Sequence, residues 1–191
     1  MPTVVTHAVV GGLAAHAFGE KAHRRRIWDA AILVSVLPDA DVLGFRFGVA
    51  YESCLGHRGF FHSLLFSAIV GAACVLVLFG HVPRFSGRWW KHVLFFTLVG
   101  ASHGALDAFT DGGLGIAFLA PLSNSRFFAP WTPIPVCSIG LHDVFTGRAV
   151  PVIGLEAVYV WVPALLAVVA VRFCRRRRER RVGSGASDGD A

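Results

Sequence analysis

Three short motifs concentrate imidazoles and carboxylates in a chain that is otherwise poor in charge. In SHGALDAFTDGG (102–113), His103 and Asp107 stand four residues apart, on one helix face. Asp111 would sit about 80° further round if the helix continues. An imidazole and a carboxylate one turn apart suit a divalent metal; an interfacial histidine beside a solvated aspartate is the plainer alternative. LPDAD (37–41) carries Asp39 and Asp41. In an α-helix they would point about 200° apart, so they converge only where the chain after Pro38 is not α-helical. Pro38 could equally open a helical turn with Asp39 as its cap. In GHRGFFHS (56–63), His57 and His62 are five apart, and Gly56 and Gly59 favour a loop. Arg58 between them is a candidate to hold an anionic oxygen, with snorkelling at a membrane surface as the alternative. His7, taken alone, reads as a helix-end histidine.

The elements that must position these groups are apolar. Hydrophobic residues are 54% of the 191, and charged residues 16%, against a usual charged share of about 25%. Mean hydropathy is +0.59. This excludes a disordered chain, a collagen and a disulfide miniprotein, leaving a membrane protein or an unusually apolar core. A membrane crossing needs about 20 apolar residues, and the 25 residues between Arg58 and Arg84 contain no Asp, Glu, Lys or Arg. Segments 92–110 and 152–172 follow if Asp107 and Glu156 sit at an interface. Residues 1–19 are uncharged, and 27–45 form a weaker segment with Asp29, Pro38, Asp39 and Asp41. Ala15-His16-Ala17 fits a signal-cleavage pattern, but the positive cluster follows the apolar stretch instead of preceding it. The expectation is an all-α integral membrane bundle of about five apolar helices over 1–174, with an outer loop at 110–151. A basic, then disordered, cytoplasmic tail would occupy 175–191.

Five crossings would put fourteen Lys and Arg residues on one side and four on the other, as the positive-inside rule favours. His7, Asp39, Asp41, His57, His62, His103, Asp107, Asp111, His142 and Asp143 would then share the opposite, outer layer, while His23, His81 and His92 fall on the basic side. Acidic and histidine residues in or beside membrane spans are costly and functional by default. The net charge of +6 resides mainly in the tail, so no nucleic-acid partner is expected, and no protein partner is predicted. The expected partners are the lipid bilayer and a small-molecule or lipid substrate. Gly100-Ala101-Ser102-His103-Gly104 matches the hydrolase G-x-S-x-G pattern, but no strand precedes it, so the match is read as chance. Cys54 and Cys137 could pair across loops, which spacing alone does not decide.

Thr6-His7, LPDAD, HRGFFHS, SHGALDAFTDGG and APLSNSRFF (120–128), in that order, resemble the YdjM-like family of inner-membrane metal-dependent hydrolases over residues 3–145. A more distant likeness is to zinc-dependent phospholipase C. Carried over by order, that likeness implies His7, Asp39 or Asp41, His57 or His62, His103 and Asp107 as ligands, with Asp107 able to bridge two ions. The later histidine and His-x3-Glu ligands of that group have no counterpart in this chain. Mixed imidazole and carboxylate ligation favours zinc, with manganese as the alternative.

The resulting expectation is a multi-pass bacterial inner-membrane hydrolase with an outward-facing site and a cytoplasmic C-terminus. Bound metal would activate water against a phosphoester, a lipid one included. Arg58 would steady the substrate and Asp111 would move protons. Two rivals stand beside it: a cation or proton carrier, and a non-catalytic protein whose metal ties helices together.

Overall fold

The computed structural model describes residues 1–20, 23–136 and 149–185. His142, Asp143 and Cys137, and with Cys137 any pairing to Cys54, lie outside the described residues. The fold is all-α. Helix α1 (Val4–Phe18) turns at Gly19, which has φ 73°, into α2 (Arg24–Val36). A 3₁₀ segment (Leu37–Phe47) continues from α2. Pro38 starts it without needing a donated N–H, and Gly48 ends it at φ 76°. After a loop and a short 3₁₀ turn (Phe60–His62), α3 (Leu64–Leu78) leads into α4 (Gly87–Ala108). Ser63 and Ser86 cap these two helices, accepting from the N–H of Phe66 and Trp89.

The helices pack α3 against α4 and α1 against α2, with α2 also on α4. Their shared core contains Ile27, Ala31, Val34, Val75, Phe79 and Phe96. Close approach depends on missing side chains: a Cβ at Gly71 would fall 2.7 Å from the backbone nitrogen of Thr97. The connections above the bundle are tied down rather than loose. Arg126 donates to the carbonyls of His57, Tyr51 and Ser53. Leu64 N–H donates to Phe118 and Ala117 N–H to Arg58, so the chain beyond α4 folds back over the 57–64 turn.

The C-terminal helix runs as α5 (Ala149–Glu156), a π-helical turn (Ala157–Trp161) and α6 (Val162–Gly185). Within it, Val150–Glu179 is 30 residues long and contains an 18-residue stretch of mean hydropathy 2.2, only 17% of which is buried. Among the described residues it is the one helix long and apolar enough to cross a membrane. This corrects the expectation of about five apolar spans and of a multi-pass chain. Helices α1 and α3 have 15 residues each, about 22 Å, short of a hydrocarbon core of about 30 Å. Helix α2 is 13 residues and begins with three arginines. Helix α4 has 22 residues but carries Arg88, Lys91, His92, His103 and Asp107. Uncharged runs in the sequence were divided by turns into pieces too short to span. The assignment of fourteen basic residues to one side, and of the acidic and histidine groups to an outward face, depended on five crossings and falls with them.

Glu156 joins the apolar helix to α1. It is fully buried, with Oε1 accepting from Thr3 N–H at 2.5 Å and Oε2 from the hydroxyls of Thr3 and Thr6 at 2.6 and 2.5 Å. Trp161 Nε1 donates to Thr6 Oγ1 at 2.7 Å. Thr3 precedes α1 without a side-chain cap of its own, so Glu156 caps that helix from a distant part of the chain. The π-turn begins at the next residue, as such bulges often do beside functional contacts. Glu156→Ala should therefore destabilise the fold by about 1–3 kcal/mol, the cost of orphaning buried donors. Leu166→Ala, on the exposed face of α6, should change little. Denaturant unfolding in detergent measures both.

Candidate metal centre

The end of α4 and the two 3₁₀ segments meet around His62. Four ligand atoms converge there, one each from Asp39, His62, His103 and Asp107, all within 4.8 Å of one another. Nε2 of His62 and Nε2 of His103 are 3.1 Å apart. Asp39 Oδ1 lies 3.2 Å from His103 Nε2 and 3.8 Å from His62 Nε2. Asp107 Oδ2 lies 3.4 Å from His62 Nε2 and 3.9 Å from His103 Nε2. Tetrahedral ligands at zinc bond lengths of about 2.0–2.1 Å would stand about 3.3–3.4 Å apart. The observed edges bracket that value.

Tautomers sharpen the fit. His103 Nδ1 is 2.7 Å from the Ser35 carbonyl, which only accepts, so Nδ1 carries the proton and Nε2 presents a lone pair. His62 Nδ1 is 3.1 Å from Asp41 Oδ2, which gives the neutral ring the same orientation. Two lone pairs facing each other at 3.1 Å require a cation between them, either a proton or a metal ion. Both oxygens of Asp39 and of Asp107 are buried without a well-aligned hydrogen bond. That is costly for carboxylates unless a positive charge sits among them. The donor set therefore fits a divalent metal.

The surrounding groups hold these ligands in place. A second cluster, Asp41 with His57 and His62, also has the composition to hold a metal. Its geometry suits orientation: Asp41 Oδ1 is 2.7 Å from His57 Nδ1 while Oδ2 faces His62 Nδ1, the carboxylate–histidine arrangement that fixes metal ligands. At three residues per turn Asp39 and Asp41 stand about 120° apart, against about 160° in an α-helix, and they face His62 Nε2 and Nδ1 respectively. Arg58 has φ 64° and is 1% exposed. Its N–H donates to Asp41 Oδ2, and Nη1 and Nη2 donate to Gly112 O and Thr110 Oγ1. Nε remains 3.7 Å from Asp107 Oδ2, so the guanidinium is built into the site. His7, fully buried, stacks on His103 with ring centroids 3.7 Å apart and places Nε2 3.3 Å from Asp107 Oδ1. Asp111 is exposed, and its Oδ1 accepts from Val136 N–H instead. Ser102 of the G-x-S-x-G match lies inside α4 and donates to Val99 O.

Sequence reasoning missed the Ser35 carbonyl, which no residue type announces, and the role of Glu156. A lone acid within an apolar helix was the available signal for the latter.

Electrostatics follow from this packing. Burial opposes charge on Asp41, but His57 and His62 outweigh it and hold the carboxyl at about 2. Asp107 is likewise held well below the usual carboxylate range, chiefly by His62 and His7 acting against burial. Burial also lowers His62, yet its contacts with Asp107 and Asp41 carry it up to about 9. Burial and neighbouring His103 lower His7. The signs give a pH window for metal-free protein. The depressed carboxyls contribute stability above about 4 that fades as pH falls toward 2; the raised imidazole contributes stability below about 6.5 that is lost as pH rises through 9. Thermal transitions of chelated protein should therefore fall between pH 6.5 and 9. Zinc-loaded protein, in which the metal replaces the proton, should hold or gain over the same range.

The family described as YdjM inner membrane protein matches residues 1–178. Inner membrane protein YbcI of Escherichia coli (strain K12) is 42% identical over 183 residues, covering 93% of this chain and all of that relative. No solved structure matches. Both ligand clusters and the apolar part of the C-terminal helix lie within the matched length, and the chain belongs to the YdjM family of inner membrane proteins.

Proposed function

We propose that this chain is a membrane-bound, metal-dependent hydrolase acting on a phosphoester, with zinc as the resident ion and manganese as the alternative. The observation that carries this reading is the four-atom convergence of Asp39, His62, His103 and Asp107. Two imidazoles and two carboxylates suit these borderline metals better than thiophilic ones. When bound, such an ion supplies an acidified water and a Lewis acid for a phosphoryl oxygen.

The chain's own residues divide the remaining work. Asp39 is the least enclosed of the four side chains, at 12% exposure against 0% for His62, His103 and Asp107, although both of its oxygens are buried. Substrate would approach along it. His7, kept neutral by burial and by His103, sits beside Asp107 and can take a proton. Arg58 supports an ionised Asp107, and its Nη atoms are already engaged; this favours a positioning role over a grip on substrate. A lipid phosphoester is the favoured class because His7 follows Thr6, which binds Glu156 near the start of the apolar helix. With that helix crossing the bilayer, a centre beside its start would sit near headgroup depth.

Burial of three of the four ligands supports a second reading, a metal that only ties the 3₁₀ segments to α4. Purified protein assayed on a bis-aryl phosphodiester and on phospholipid vesicles separates the two. Hydrolysis abolished by chelation, restored by zinc or manganese, and lowered at least about 100-fold in His7→Ala with metal still bound supports the enzyme. Stoichiometric metal without turnover of either substrate would favour the structural tie.

A further inference from the structure

A second concentration of charge lies at the opposite end of α1 from His7. We propose that the cleft between the C-terminus of α1, the start of α2 and the basic part of α6 binds the phosphate headgroup of an anionic membrane lipid, with an acyl chain along α6. The cleft has a volume of about 290 Å³, with His16, Gly19, Arg24, Arg172, Arg175 and Arg176 among its walls. Arg175 Nη1 donates to Phe18 O at 3.1 Å, capping α1 with a cation at its negative end. The guanidinium passes over Gly19, where a Cβ would overlap Nη1. Arg172 Nη1 meets His16 Nε2.

These cations lack a counter-charge. Glu20 is turned toward α4, where Arg88 and His92 engage it. Glu179, the other acid lining the cleft, is exposed. Among the described residues no carboxylate lies within ion-pair distance of Arg24, Arg172, Arg175 or Arg176. Several guanidinium forks around one opening match a phosphate, whose oxygens accept bidentate bonds.

A lipid, and not a free anion, is indicated by the neighbouring surface. An adjoining groove of about 340 Å³ shares His16, Arg172 and Arg176, but its other walls are Leu165, Val168, Val169 and Phe173. Charge above and apolar surface below reproduce the two ends of a phospholipid. Both sit where the apolar run of Val150–Glu179 gives way to arginines, the depth at which basic pockets bind lipid headgroups.

The test uses the full chain in phosphatidylcholine nanodiscs containing a minor fraction of fluorescent phosphatidylglycerol. The expected result is selective retention of phosphatidylglycerol, weakened about tenfold in Arg172→Gln/Arg175→Gln. Arg177→Gln/Arg178→Gln, with equal loss of charge but outside the cleft, should change it less than about twofold. Thermal transitions check folding; should the first pair not fold, Arg176→Gln alone should show the loss. Equal weakening in both pairs would overturn the site in favour of diffuse attraction. Displacement of the lipid by millimolar inorganic phosphate would overturn the lipid assignment.

Discussion

Two imidazole edges held face to face inside the protein govern the rest of the structure. His62 and His103 bring Nε2 to Nε2 at 3.1 Å, while Asp39 and Asp107 crowd the same point with oxygens that have no well-aligned donor. Like lone pairs and bare carboxylates repel one another in a low-dielectric interior, so this arrangement persists only around a positive charge. The protein can supply that charge with the His62 proton, and a divalent ion can replace it. The neighbours are placed accordingly. Asp41 turns two rings, the Ser35 carbonyl sets a third, and Arg58 offsets part of the negative charge.

The ligands come from segments far apart in sequence, so the centre also acts as a crosslink. It joins the 3₁₀ segment after α2 to the turn before α3 and to the last turns of α4. Glu156 extends the connection to the apolar helix by binding Thr3 and Thr6, one residue from His7. Movement of that helix relative to the bundle would reach His7 through a single peptide unit. At the other end of α1, Arg172 and Arg175 bind His16 and the Phe18 carbonyl. Both ends of α1 are thus fastened to the helix that meets the membrane.

Some of this was legible in the sequence because it is local. The four-residue spacing of His103 and Asp107 puts them on one face of any helix, and Pro38 marks a departure from regular α structure. The number of crossings was not legible. An uncharged run does not show where the helix stops: the 25-residue run after Arg58 spends its first five positions on Gly59, the 3₁₀ turn and the capping Ser63, and its last five (79–83) on the turn toward α4, leaving α3 with 15. Nor did the sequence separate Asp39 from Asp41. Their division of labour follows from a turn of three residues rather than 3.6, a tertiary outcome. Arg58 and Asp111 were assigned to substrate and proton transfer from residue type and neighbouring motif, whereas burial commits Arg58 to internal bonds and Asp111 accepts from Val136 N–H.

The central claim concerns what sits among four side chains, and X-ray absorption of zinc-loaded, purified protein reads that directly. The account predicts one tightly held zinc per chain, with two imidazole nitrogens and carboxylate oxygens at about 2.0–2.1 Å and no sulfur, and loss of one imidazole contribution in His103→Ala. Thiolate scattering, or a spectrum unchanged by that substitution, would contradict it.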